Sequence, residues 1–181
     1  PLECGFDYHF GTPGSNDVPA PKGTVQNRAL FDRCEKTTFQ VPLIRGREVV
    51  EFPVNQELFT QRYTAEAVKW IKEKKDQRFF LYLAHFAVHT PIQPRADLKA
   101  KYDAKEPVGG HKNAGYAAMI ETVDEGVGRL LALLDELELS GETLVIVTSD
   151  NGGHSVTSNL PLRGRKGMLY EGGIRVPLIV R

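Results

Sequence analysis

The sequence predicts an α/β protein of the doubly wound kind, and three observations carry that prediction. Two short apolar runs, residues 79–84 (Phe-Phe-Leu-Tyr-Leu-Ala) and 144–147 (Leu-Val-Ile-Val), read as strands of a sheet covered on both faces. Each follows a stretch with helical periodicity, at 56–75 and 114–138. The strand at 144–147 then delivers Asp150 and Asn151 onto a Gly-Gly turn, and loops leaving the carboxyl ends of strands are where α/β proteins place ligands.

Taken in order, residues 1–28 are rich in Gly, Pro, Asn and Asp and read as a loop, with a brief strand where Phe6, Tyr8 and Phe10 alternate. From 27 to 52 the pattern is irregular, an excursion in which 41–44 and 49–50 form short strands around the turn Arg45-Gly46-Arg47. Phe59, Tyr63, Ala67, Trp70 and Ile71 then fall at helical spacing with Lys and Glu opposite, which marks a core-facing helix. Behind the strand at 79–84 stand His85 and His89, four apart. Pro91 and Pro94 place them on a loop, and the absence of H-E-x-x-H excludes a zincin site. Residues 95–113, charged and Gly-rich, read as an exposed linker with His111 on the surface. Ala117, Ile120, Val123, Val127, Leu130, Leu131, Leu134 and Leu137 give the clearest helix, stopped by Ser140-Gly141. The last apolar run is Val176-Pro177-Leu178-Ile179-Val180.

Composition narrows the function classes. Lys plus Arg and Asp plus Glu are 23 each, so no global field points to nucleic acid or an anionic membrane, and no apolar run approaches a membrane span. Cys4 and Cys34 are too few for a disulfide framework, and a bridge between them stays open. A start at Pro1 and an end just behind an apolar strand mark the 181 residues as an excerpt of a longer protein.

The chemistry concentrates after residue 144. Asp150 and Asn151 offer a carboxylate and an amide oxygen, donors that suit Ca²⁺ or Mg²⁺ better than zinc. Two donors do not close a site, and an Asx turn is the competing reading. Arg163, Arg165 and Lys166, flanked by Gly164 and Gly167, form a cationic cluster that reads either as a solvated loop or as a cradle for an anion.

Together, T-S-D-N-G-G and L-R-G-R-K-G-x-x-Y-E-G-G-I-R-V-P resemble the C-terminal part of the catalytic core of formylglycine-dependent, arylsulfatase-like sulfatases of the alkaline phosphatase superfamily. F-A-V-H-T-P-I-Q-P is similar to the sulfatase loop whose histidine touches the sulfate, and G-F-D-x-x-x-G-x-P-x-S-x-D to the segment after that family's Lys-x-His pair. The resemblance implies part of an α/β/α sandwich with a largely parallel mixed sheet, residues 1–181 being a partial catalytic domain. It implies Asp150 and Asn151 as ligands of one Ca²⁺, Lys166 and His89 as catalytic and sulfate-contacting residues, and Ser15 as a substrate contact. His89 is alternatively the acid that protonates the leaving alcohol. Arg163 and Glu171 are expected to orient the loop as an ion pair; His85 and His154 have no assigned role.

The implied activity is hydrolysis of sulfate esters, with carbohydrate sulfates as the substrate class. The formylglycine nucleophile and the remaining metal ligands lie upstream, so the isolated chain is expected to be inactive. Periplasmic or secreted location is implied by the same resemblance. Two alternatives remain: a metal-dependent phosphoesterase or phosphonate hydrolase of that superfamily, and a non-catalytic binder of sulfated glycans.

Overall fold

The computed structural model describes residues 1–17 and 41–181. Cys34, and with it the question of a Cys4–Cys34 bridge, lies outside those residues, as does most of the 27–52 excursion; Cys4 is exposed.

The first sheet is small and antiparallel, in the order β1 (Phe10–Gly11), β2 (Leu43–Arg45), β3 (Glu48–Glu51). The hairpin predicted around Arg45-Gly46-Arg47 is present. Its turn needs a positive φ, and Gly46 supplies one at 61°. After a single 3-10 turn, α1 (Phe59–Lys74) turns Phe59, Tyr63, Ala67 and Ile71 inward at intervals of four. Val41, Leu43 and Val54 close on Phe59 and Tyr63, with Phe10, Leu83 and Phe86 at the margin. Tyr8 and Arg45 both bond Glu66 of α1, which fastens the N-terminal segment to the same helix.

The 79–84 run forms no strand and belongs to no ladder among the described residues, which corrects the expectation of a buried strand. Phe79, Leu81 and Leu83 pack inward, whereas Phe80 and Tyr82 are 74% and 71% exposed. Its burial has the period of a strand and only one covered face.

The expected linker is corrected too. Within 95–113 lies α2 (Ala96–Asp103), whose buried Leu98 anchors it against α3 (Ala114–Glu136). Arg95 reaches Glu125 at 2.5 Å and Lys101 reaches Glu121 at 2.5 Å. The charges that suggested a solvated linker pair across two helices instead.

Helix α3 begins where Asn113 accepts the Tyr116 N–H. Its buried positions are Gly115, Ala118, Thr122, Gly126, Leu133 and Leu134, displaced from the stripe of larger residues; Ile120 is 49% exposed. The reason is close approach, because a Cβ on Gly126 would stand 2.6 Å from Thr64 Oγ1 of α1. Small residues let the two helices meet, and Leu133 and Leu134 then fill the space beside Ile71.

β4 (Ile146–Thr148) pairs antiparallel with β5 (Leu178–Val180), and Val145 and Arg181 exchange two further backbone bonds of 2.9 Å. The 144–147 run in this ribbon was expected to be buried. Ile146, Leu178 and Ile179 are instead 56%, 66% and 63% exposed, since no other described strand lies beside it. All ladders among the described residues are antiparallel. None of the described helices is long and apolar enough to cross a membrane.

Candidate active site

The loop that leaves β4 carries Asp150 and Asn151 and then folds back on itself by backbone packing. Gly152 N–H donates to Gly173 O at 3.0 Å, and Gly172 N–H donates to Arg163 O at 2.7 Å. Lys166 N–H donates to Gly153 O at 3.1 Å. Three neighbouring segments are thereby closed into one unit: the Asp-Asn-Gly-Gly turn, the cationic loop, and the short α4 (Glu171–Ile174).

Close approach explains the glycines. A Cβ on Gly152 would fall on the Gly172 carbonyl, one on Gly172 on the Gly164 carbonyl, and one on Gly173 on the Met168 carbonyl. Backbone, unlike a flexible side chain, does not move aside. Gly164 adds a conformational requirement, with φ at 88° and Tyr170 Cβ 2.8 Å from where its own Cβ would be.

Asn159 is the side chain that completes the unit, and the sequence reading passed over it. Its Oδ1 accepts the Gly153 N–H at 2.9 Å, while Nδ2 donates to Gly153 O at 2.8 Å and to Gly164 O at 3.3 Å. A lone Asn in a polar loop carries no sequence signal of that role; only the fold brings both glycines to it.

Arg163 and Glu171 do not pair. Arg163 lies over the Tyr170 ring, 4.0 Å from its centre, and donates to Tyr170 Oη at 3.0 Å, whereas Glu171 faces Arg175 at 3.5 Å. The expected ion pair is replaced by a cation–π contact that fixes Arg163 on the loop.

Asp150 is exposed and Asn151 half-buried. Among the described residues the Asp150 carboxylate and the Asn151 amide have no hydrogen-bond or ion-pair partner, and Ser149 Oγ donates only to the Asn151 backbone carbonyl, at 2.9 Å. Two unclaimed hard oxygens side by side fit a Ca²⁺ or Mg²⁺ ion and leave four or more positions for other ligands. No group of three or more His, Cys, Asp or Glu among the described residues gathers around them. Lys166 is half-buried and forms no ion pair among those residues.

His89 and Ser15 belong to a second grouping. The 86–94 loop and the 15–17 turn meet over the start of α1, around a cavity of about 20 Å³ lined by Asn16, Gln56, Phe59, Phe86, Ala87 and Pro91. Asn16 and Gln56 exchange two bonds there, at 3.1 and 2.9 Å, and Phe86 packs on Phe59. His89 Nδ1 faces the Thr90 carbonyl at 2.5 Å. A carbonyl only accepts, so Nδ1 carries the proton and Nε2 is left to exchange one. Ser15 is exposed and bonds Asp17. Hence the segments carrying Asp150, Asn151 and Lys166 share one hydrogen-bonded unit, whereas His89 and Ser15 stand on two separate loops that flank the Asn16–Gln56 pair.

Three further histidines have structural surroundings. The ring nitrogens of His85 are buried beside the Tyr63 ring, 6.4 Å between centres, and neither is bonded among the described residues; this burial lowers its pKa to about 4. His154 Nδ1 meets Ser155 Oγ at 2.8 Å. His111, expected as an idle surface residue, meets Thr157 Oγ1 at 3.0 Å.

Comparison with known proteins bears on this arrangement. The Sulfatase family model matches residues 4–181. A sulfatase of Formosa agariphila is 47% identical over 126 residues, 63% of this chain and 23% of its own. The N-acetylgalactosamine-6-sulfatase of Sus scrofa is 32% identical over 99% of this chain and 33% of its own. The chain thus spans about a third or less of the length of these relatives. Among solved structures, Ps i-CgsB in complex with k-i-k-neocarrahexaose superposes with a TM-score of 0.74 at 32% identity, over 99% of this chain and 40% of that one. A solved structure from Bacteroides fragilis, at 23% identity and a TM-score of 0.62, shares the fold, which is alkaline phosphatase-like.

Proposed function

The chain belongs to the sulfatase family, and from that premise we propose that the full-length protein hydrolyses sulfate esters of carbohydrates, using Asp150, Asn151, Lys166 and His89. The observation that supports the reading is the closed unit in which Gly153 bonds the backbone of Lys166, because it ties the loop that carries this cation to the turn that carries two hard oxygen donors. Carbohydrate is favoured as the substrate class by two of the similar proteins. One is named for N-acetylgalactosamine-6-sulfate and the other holds a neocarrahexaose.

In this reading Asp150 and Asn151 hold one Ca²⁺, which when bound supplies positive charge to the sulfuryl oxygens. Lys166 adds a fixed ammonium on the same oxygens, offsetting charge where it accumulates as the sulfur–oxygen bond to the alcohol breaks. His89, with its Nδ1 proton turned to Thr90, presents Nε2 to the sulfate or to the leaving oxygen; as the imidazolium it gives the Nε2 proton to that oxygen and is left as the neutral imidazole. Ser15 is a substrate contact from the loop beside His89. The nucleophile, a formylglycine, belongs to the part of the protein upstream of this chain, and the isolated 181 residues are therefore inactive. Export to the periplasm or the medium accompanies the reading and is checked by fractionation.

The test is to offer the full-length protein a carbohydrate sulfate and the matching phosphate monoester and to measure the inorganic anion released. Sulfate release supports the proposal. Phosphate without sulfate moves the activity to a phosphoesterase, and glycan binding without either makes the protein a non-catalytic binder.

A further inference from the structure

A cleft of about 470 Å³ opens between the first turn of α3 and the loop that follows the Asp150–Gly153 turn. One wall is Lys99, Lys112 and Asn113; the other is Ser155, Val156 and Thr157. The walls are joined at their base. His111 meets Thr157 Oγ1 at 3.0 Å, and a Cβ on Gly110 would stand 3.2 Å from Ser158 Oγ. The second wall is also continuous with the candidate site, since Thr157 N–H bonds His154 O and Asn159 grips Gly153, the residue that holds Lys166.

We propose that this cleft is a subsite for the sugar next to the sulfated one, and that Lys112 recognises an anionic substituent on that sugar. Lys99 is matched by Asp103 at 2.6 Å. Lys112 is exposed and has no ion pair among the described residues. The cleft therefore presents one uncompensated cation among hydroxyls and glycine backbone. No aromatic side chain lines it, so a sugar is held by hydrogen bonds and charge and not by stacking. Its volume is in the range of pockets that take small organic ligands. Asp103 on the same wall disfavours a second anion close to Lys99. The inference rests on the sulfate-ester reading of the adjoining unit and names the substrate feature that unit would select: a second negative charge one sugar away.

The experiment is calorimetric binding of a disaccharide sulfated on both sugars, and of its singly sulfated counterpart, to the full-length protein. Three forms are compared: wild type, Lys112→Glu, and Lys75→Glu as a control charge reversal at the far end of α1. The expected result is at least a tenfold loss of affinity for the doubly sulfated sugar in Lys112→Glu, under threefold for the singly sulfated one, and no change in Lys75→Glu. Equal binding by wild type and Lys112→Glu, or equal losses in both variants, overturns the proposal. If the selective loss is found in a protein that releases no sulfate, the subsite stands and the hydrolase reading falls.

Discussion

Around α1 the chain is held by what its side chains bury: Phe59, Tyr63 and Leu43 close over one another, and Ile71 does the same with Leu133 and Leu134. Around Asp150 it is held by side chains that are missing. Gly152, Gly172 and Gly173 let three stretches of backbone lie in contact, while the strands that carry this unit, β4 and β5, leave most of their apolar surface exposed. The contrast separates two jobs. Apolar burial gives free energy without demanding one fixed geometry for each atom, whereas backbone packed on backbone admits a single arrangement. The first region supplies stability and the second supplies position.

Changes in each region should therefore read out differently. The largest effect is expected from Lys166→Ala, which removes the charge proposed to act on the sulfuryl oxygens. By analogy with deleting one preorganised donor, kcat should fall by about 10²–10³, with the melting temperature nearly unchanged. Leu43→Ala should do the opposite. Leu43 is fully buried, so truncation should cost about 2–5 kcal/mol of stability, read as a shift in denaturant midpoint, and leave kcat intact in the folded fraction.

A graded effect, smaller for each pH unit, comes from pH. His85 has a folded pKa of about 4 against 6.5 for a free histidine, because burial disfavours the imidazolium. Between those values the unfolded chain takes up a proton that the fold refuses. Stability should then fall by about 1.4 kcal/mol per unit as pH drops from 6.5 to 4, and be insensitive to His85 above 6.5. His85→Phe should flatten that slope; an unchanged slope would place its origin elsewhere. The smallest effect is expected for Arg95→Ala, which breaks the partly exposed pairs to Asp97 and Glu125 and should cost less than about 1 kcal/mol.

The same division explains what could be read in the sequence. The core face of α1 was legible because burial repeats with the helix period, and the β2–β3 hairpin because Gly46 marks its turn. The candidate site residues stand out as motifs, since Asp150, Asn151 and Lys166 lie among glycines in an order that resembles the sulfatase family. Periodicity misplaced the buried face of α3, where Gly115, Ala118 and Gly126 are chosen for closeness and not for hydrophobicity. It also took 144–147 as buried, because apolar composition does not say which neighbour covers a strand. Asn159 and the pairing of Arg163 with Tyr170 depend on contacts between loops, for which a linear pattern has no term.

The most direct measurement is to make Gly152→Ala in the full-length protein and to follow sulfate release and thermal unfolding on the same sample. The backbone of Gly172 blocks the added methyl, so the turn bearing Asp150 and Asn151 must shift away from Lys166. The expected result is loss of most of the turnover with a melting temperature within a few degrees of wild type. If turnover survives, or if activity and stability fall together as they would for a core residue, the glycine-packed unit does not position the chemistry.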